Sequence, residues 1–171
     1  MHDVWNVFRF CPRCGHPLKL TTGDDGQELR CTNDNFVFYQ NPHSAVLAII
    51  TNDKKEIMMV KRNREPALGT WDFPGGFANW GESADIAIAR EIEEELGTQL
   101  TIKSIFGTYH DWYEYKGIRY STATTAFVGS INALPTTINQ EIAELRWFAP
   151  NELPENTSFE STAIIVQELR K

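Results

Sequence analysis

Short apolar runs alternate with polar, glycine-rich breaks along the chain, and the period of each run assigns its element. "SAVLAII" at 44–50 is apolar almost throughout and reads as a strand buried on both faces. The polar turn "TNDKKE" at 51–56, with Lys54 and Lys55, separates it from a second strand, "IMMVKR" at 57–62, and together they predict a hairpin. "NREPALGTWDFPGGFANWGE" at 63–82 is rich in Gly and Pro and predicts loop. Ile88, Ile92 and Leu96 then recur four apart, which predicts a helix that Ser83 caps and Gly97 ends in a left-handed conformation. Beyond it, "LTIKSIFGTYHDWYEY" and "IRYSTATTAFVGSI" alternate like strands around the turn "KGI", and "ELRWFA" is another short strand. The last segment, "SFESTAIIVQELRK", has helical spacing at Ile164, Ile165 and Leu169. Strands mixed with two helices imply an α+β or α/β sandwich.

The first 38 residues follow a different pattern. "FRFCPRCGHPLKL" holds a Cys-x-x-Cys knuckle, "TTGDDGQEL" a turn, and "RCTNDNFVFYQ" resumes extended sequence. So short a stretch has little core of its own and calls for a clip. "YQNPH" at 39–43 is the junction, because Pro42 disfavours helix on both sides. The chain therefore divides into a small β module at 1–38 and a main domain at 39–171.

Composition narrows the function. With 42% hydrophobic and 23% charged residues the chain should fold as a compact soluble protein, neither disordered nor fibrous. The net charge of -7 argues against nucleic acid or an anionic membrane as partner, and a polyanionic substrate would need local help from metal ions. No apolar run reaches the roughly 18 residues of a membrane helix, and "MHDVWNVFRF" lacks the features of a signal peptide, so the expectation is cytoplasmic. Cys11, Cys14 and Cys31, an odd count crowded near the start, suit a metal site in a reducing compartment better than disulfides.

The helix carries the chemistry. "REIEEEL" at 90–96 packs Glu91, Glu93, Glu94 and Glu95 together. At 100° per residue, Glu91, Glu94 and Glu95 share a face about 100° wide, Glu93 points away, and Ile88, Ile92 and Leu96 form the stripe that docks. Like charges at these spacings cost roughly 0.2–0.5 kcal/mol per pair, a strain that a divalent cation reverses, and hard oxygen ligands suit Mg²⁺ or Mn²⁺.

Read from Gly76, the sequence "GFANWGESADIAIAREIEEELG" places five residues before Glu82, seven more before Arg90, then Glu91, Ile92, Glu94, Glu95 and Gly97. This resembles the Nudix box, Gly-x5-Glu-x7-Arg-Glu-U-x-Glu-Glu-x-Gly-U, with U a bulky apolar residue. The departure is Thr98, where the pattern prefers an aliphatic side chain. The resemblance covers roughly 40–171 and implies the family's α/β/α sandwich and metal-dependent hydrolysis of a diphosphate linked to another moiety. It implies Glu91, Glu94 and Glu95 as metal ligands, Arg90 and Glu82 as the pair that orients them, and Gly75 and Gly76 as points where backbone approaches metal and phosphates. The general base stays open between a box glutamate and a later one, with Glu141 and Glu144 in "INQEIAELRWF" as candidates. Arg62 and Arg64 are candidates to meet a phosphate, and Tyr109, Trp112, Tyr113 and Tyr115 to stack a base or flavin.

The N-terminal module resembles a zinc ribbon. "CPRC", sixteen residues, then "CTND" supplies three cysteines, with Asp34 at the fourth position and His16 as its rival for structural Zn²⁺. A ribbon ahead of a Nudix domain resembles NADH pyrophosphatases, but their Ser-Gln-Pro-Trp-Pro-Phe-Pro stretch is absent. A small-molecule nucleoside diphosphate derivative is expected as substrate, with ADP-ribose or FAD favoured over NADH and nucleoside triphosphates, and a homodimer is a reasonable assembly. The competing function is a nucleotide-sensing module on the same fold without turnover. Isopentenyl diphosphate isomerase chemistry fits poorly, since residues 40–171 contain no cysteine.

Overall fold

In the computed structural model, residues 2–24, 26–135 and 138–171 are described. The chain forms two compact units, one of residues 1–42 with 112–121 and one of 43–111 with 122–171. The first unit contains strand β1 (His2–Asp3), the single helical turn α1 (Val4–Val7) and an antiparallel sheet of β2 (Leu18–Gly23), β3 (Gly26–Cys31) and β4 (Val37–Phe38). Its apolar interior is small: among the described residues Cys11, Leu29 and Cys31 are its buried apolar side chains, and Phe8 meets Phe38 edge-on. The turn expected in "TTGDDGQEL" includes position 25, which lies outside the described residues.

The second unit begins with β5 (His43–Ile50) and β6 (Ile57–Arg62), followed by β7 (Trp71–Asp72) and β8 (Gly75–Phe77) within the glycine-rich segment. After helix α2 (Ala84–Leu96) come the long strands β9 (Leu100–Tyr115) and β10 (Ile118–Ile131), then β11 (Ile142–Phe148) and helix α3 (Glu160–Leu169). The expected hairpin of β5 and β6 does not form. β5 pairs in parallel with β10 and antiparallel with β8, while β6 lies between β11 and β7 in a second sheet. A single bridge, Thr51 to Ile57, joins the two strands. Both are apolar on both faces, so neither carries an alternation that would select its neighbour.

That two-sided burial builds the layers. Val46, Ala48 and Ile50 of β5, with Met58 and Val60 of β6, pack with Ala87, Ile88, Ile92 and Leu96 of α2. The alternate residues Leu47, Ile49, Ile57 and Met59 pack with Ile165 and Val166 of α3. Successive strand side chains point to opposite faces, so one pair of strands feeds two cores and the unit is an α/β/α sandwich.

The predicted stripe anchors α2: Ile88, Ile92 and Leu96 are fully buried. Burying each contributes about 1.5–3 kcal/mol, more than the roughly 0.2–0.5 kcal/mol lost per pair of like charges on the same helix. Gly97 ends the helix at φ 63°, and its N–H donates to the Glu93 carbonyl. Ser83 stands at the N-cap, but its hydroxyl bonds the Asp85 carboxylate and not a helix amide. Thr98, the departure from the box pattern, is buried with its hydroxyl 2.9 Å from Asn132 Oδ1 and 3.0 Å from the Ala133 carbonyl, so it ties the helix exit to the end of β10.

Candidate active site and cysteine cluster

Arg90 is the hub of the box residues. Its Nε and Nη2 hold Glu82 in a fork, at 2.8 and 3.1 Å, and Nη2 also donates to the Phe77 carbonyl at 2.9 Å. Its Nη1 reaches Glu91 at 2.9 Å and Glu94 at 3.0 Å. These bonds keep Glu82 ionised, with its carboxyl lowered to about 2, and raise the guanidinium further above its ordinary value. Glu82 also accepts the Asn79 amide at 2.8 Å, which pins the loop ahead of α2.

The three expected metal ligands are graded in depth: Glu94 is exposed, Glu91 half-buried and Glu95 only 7% exposed. Burial pushes the Glu95 carboxyl up to about 8, reinforced by the charges of Glu91, Asp72 and Glu141 and opposed by a 3.0 Å bond from the Gly75 amide. Burial likewise raises Glu91 against the pull of Arg90. Glu93 is exposed, as its wheel position predicts.

The two glycines do separate jobs. At Gly76 a Cβ would sit 2.6 Å from the Glu91 carboxylate, so the missing side chain is the space that carboxylate occupies. At Gly75, with φ 150°, a Cβ would collide with the backbone of Val46 on β5, while its amide serves Glu95. The close approach at Gly75 is thus to the neighbouring strand, in addition to the site.

Glu95 lines a small cavity together with Arg62, Arg64, Asp72, Gly75 and Glu141. Glu141 pairs with Arg64, and its charge bears on both Glu91 and Glu95. Glu144 instead pairs with Lys61 of β6 and Arg146 of β11 and is not among the cavity residues. Asp72 escaped the sequence reading: it is a buried carboxylate 3.6 Å from Arg62, in a segment that composition alone assigned to loop. The expected aromatic set is divided, with Tyr109 bonding Glu168 at 2.8 Å in the second unit and Trp112, Tyr113 and Tyr115 belonging to the first.

The chemistry of these carboxylates suits a hard divalent cation, although among the described residues it is the cysteine set, and not the three glutamates, whose ligand atoms lie within 4.8 Å of one another. The buried Glu95 and half-buried Glu91 carboxylates lie beside glycines where a Cβ would not fit, and burial, with the neighbouring carboxylates, raises the pKa of both, so their charged forms are stabilised by any cation placed beside them.

In the first unit, Cys11, Cys14, Cys31 and Asp34 each offer a ligand atom within 4.8 Å of the others. Cys14 and Cys31 sulfurs are 3.4 Å apart. Zinc at about 2.3 Å from each sulfur would place tetrahedral ligands about 3.8 Å apart, so small adjustments close the set. The Cys31 thiol is raised to about 11 by burial, while a hydrogen bond from that thiol lowers Asp34. His16 is not in the group; its carbonyl accepts the Cys11 amide in the knuckle turn. This is a small zinc-ribbon-like β module.

The NUDIX domain model matches residues 41–168. The chain belongs to the NUDIX family. It is 31% identical over 132 residues to an ADP-ribose pyrophosphatase of Methanocaldococcus jannaschii, covering 77% of this chain and 76% of that one. A NAD-capped RNA hydrolase of Stutzerimonas stutzeri is 24% identical over 161 residues, 94% of this chain but 55% of its own length. The crystal structure of a NUDIX hydrolase from Nitrosomonas europaea shares the fold at a TM-score of 0.77 and 23% identity, over 95% of this chain and 89% of that one. As a NUDIX hydrolase the chain is a pyrophosphohydrolase. The expectation that nucleic acid is excluded draws no support from a relative named for capped RNA. Among the described residues no helix is long and apolar enough to cross a membrane.

Proposed function

We propose that the protein hydrolyses the diphosphate linkage of a nucleoside diphosphate derivative, with ADP-ribose or an FAD-like compound as the favoured substrate and Mg²⁺ or Mn²⁺ as cofactor. The observation that carries this reading is the meeting of Glu91 and Glu95 with the Gly75–Gly76 backbone beside Glu141. The relative named as an ADP-ribose pyrophosphatase supports the substrate class.

Glu91, Glu94 and Glu95 would hold the cation, which when bound neutralises diphosphate oxygens and makes a water more acidic. Arg90 and Glu82 keep the carboxylates oriented through the bonds described above. Arg62 and Arg64 supply positive charge for the substrate's phosphates at the cavity. Glu141, held at the same cavity by Arg64, is the best placed of the later glutamates to accept the proton of the attacking water.

Cys11, Cys14, Cys31 and Asp34 are assigned to structural Zn²⁺, which would clip a unit with little apolar interior. The division into a ribbon at 1–38 and a hydrolase domain at 39–171 is supported by a family match that begins at residue 41.

The test is product release from ADP-ribose, FAD, NADH, nucleoside triphosphates and NAD-capped RNA with Mg²⁺ or Mn²⁺, for wild type and Glu95→Gln. Cleavage of ADP-ribose or FAD by wild type, lost in the variant, is the expected result. Nucleotide binding without cleavage of any compound would replace this reading with the sensing module.

A further inference from the structure

Asp72 has no assigned role, although it is a buried carboxylate beside the carboxylate cavity. Its Oδ1 accepts the Phe73 amide at 2.9 Å and the Thr162 hydroxyl at 2.8 Å. Thr162, on α3, is fully buried, and Ser158 adds a further hydrogen bond. The other oxygen, Oδ2, faces Arg62 Nη1 at 3.6 Å. Arg62 is fixed on two more sides: its Nε donates to the Pro66 carbonyl at 3.0 Å, and its guanidinium lies 5.2 Å from the centre of the Phe159 ring. Among the described residues, Arg62 Nη2 makes no hydrogen bond.

The result is a guanidinium held by a carboxylate, a carbonyl and an aromatic ring, on the wall of the cavity that also contains Glu95 and Glu141. Asp72 and Arg62 lie ten residues apart, and Thr162 ninety beyond Asp72, so three separate segments fix one side chain. An ion pair needed only for packing gains nothing by leaving donor capacity at a cavity wall. A guanidinium with open donors, aimed by a buried anion, matches what a phosphate oxygen requires.

We propose that Asp72, supported by Thr162, is a positioning residue that sets the Arg62 guanidinium to bind the diphosphate of the substrate. The inference rests on the nucleoside diphosphate reading above, and it ties the last helix of the fold to phosphate recognition. It also has a diagnostic sign. Removing a buried negative charge beside an anion site should tighten anion binding by electrostatics alone. If Asp72 acts by aiming Arg62, its removal weakens binding.

The test is calorimetric titration of the full-length protein with α,β-methylene-ADP, a non-hydrolysable nucleoside diphosphate, in the presence of Mg²⁺. Wild type, Asp72→Asn, Arg62→Ala and the double variant form a cycle. Each single change is expected to weaken binding about tenfold, the loss typical of a charge-assisted hydrogen bond. The double variant should bind no more weakly than Arg62→Ala, because Asp72 has nothing left to aim. Losses that multiply, or unchanged or tighter binding by Asp72→Asn, overturn the assignment while leaving the proposed function standing. Failure of wild type to bind overturns both. Should Asp72→Asn not fold, Thr162→Val takes its place in the cycle, since it removes the supporting hydrogen bond and leaves all charges unchanged.

Discussion

The molecule holds two sets of candidate metal ligands and supports them in opposite ways. Glu91 and Glu95 stand on a thirteen-residue helix whose aliphatic stripe is fully buried, so their placement is set by the sandwich core. Cys11, Cys14, Cys31 and Asp34 come from turns and a strand end in a unit with little apolar interior of its own. The first arrangement stands before any ion arrives, at the cost of carboxylates crowded out of water. In the second, the zinc proposed above would supply the order that so small a core does not. An enzyme that exchanges cation with each substrate needs the first kind of support, and a permanent clip needs only the second.

Stripping tightly bound metal should divide the two regions most sharply. With a strong chelator, amide-exchange protection at 18–38 should collapse while that of α2 persists, since structural zinc contributes roughly 10–16 kcal/mol of linked binding energy in small domains. Protection lost equally in both regions would show that they do not differ in this way. Next in size, Glu91→Gln should lower turnover by about 10²–10³-fold, in the range for removing a preorganised charge contact. Its thermal midpoint should not fall, because the carboxylate is held at an electrostatic cost. A matching drop in stability would mean that Glu91 is structural.

A smaller effect tests the helix exit. Thr98→Val removes the bonds to Asn132 and Ala133 and should cost about 1–3 kcal/mol in denaturant unfolding, with zinc content unaffected. The smallest is a pH effect at Glu82. Its folded carboxyl is lowered from 4.5 to about 2, so its bonds to Arg90 stabilise the fold above about pH 4.5 and are lost as pH falls toward 2. Unfolding measured across that window should show a steeper decline for wild type than for Glu82→Gln. Parallel curves would remove Glu82 from the account.

What the sequence revealed follows the same division. The spacing of the glutamates, the stripe beneath them and the stop at Gly97 were all legible, because each depends on neighbours within one helix. The cysteine knuckle was legible for the same reason, whereas only the fold groups Asp34, and not His16, with the three cysteines. The pairing of β5 with β10 and β8 was not legible, since strands apolar on both faces carry no preference for a neighbour. Asp72 was hidden for a related reason. Its partners Thr162 and Ser158 stand far along the chain, and no local spacing marks a carboxylate that will be buried. The glycine-rich stretch around it was informative as a break and silent about the two short strands it holds.

The strands β9 and β10 each contribute residues to both compact units, and β1 runs parallel to β10 at Ile118 and Arg119. The first unit is therefore not one contiguous stretch of sequence, since it includes residues 112–121. Deleting residues 1–42 would leave the 112–121 hairpin tip in place but strip Ile118 and Arg119 of their β1 partners, presenting an open strand edge to other chains. In engineering terms, a shortened hydrolase would need its hairpin trimmed or its edge charged to stay monodisperse.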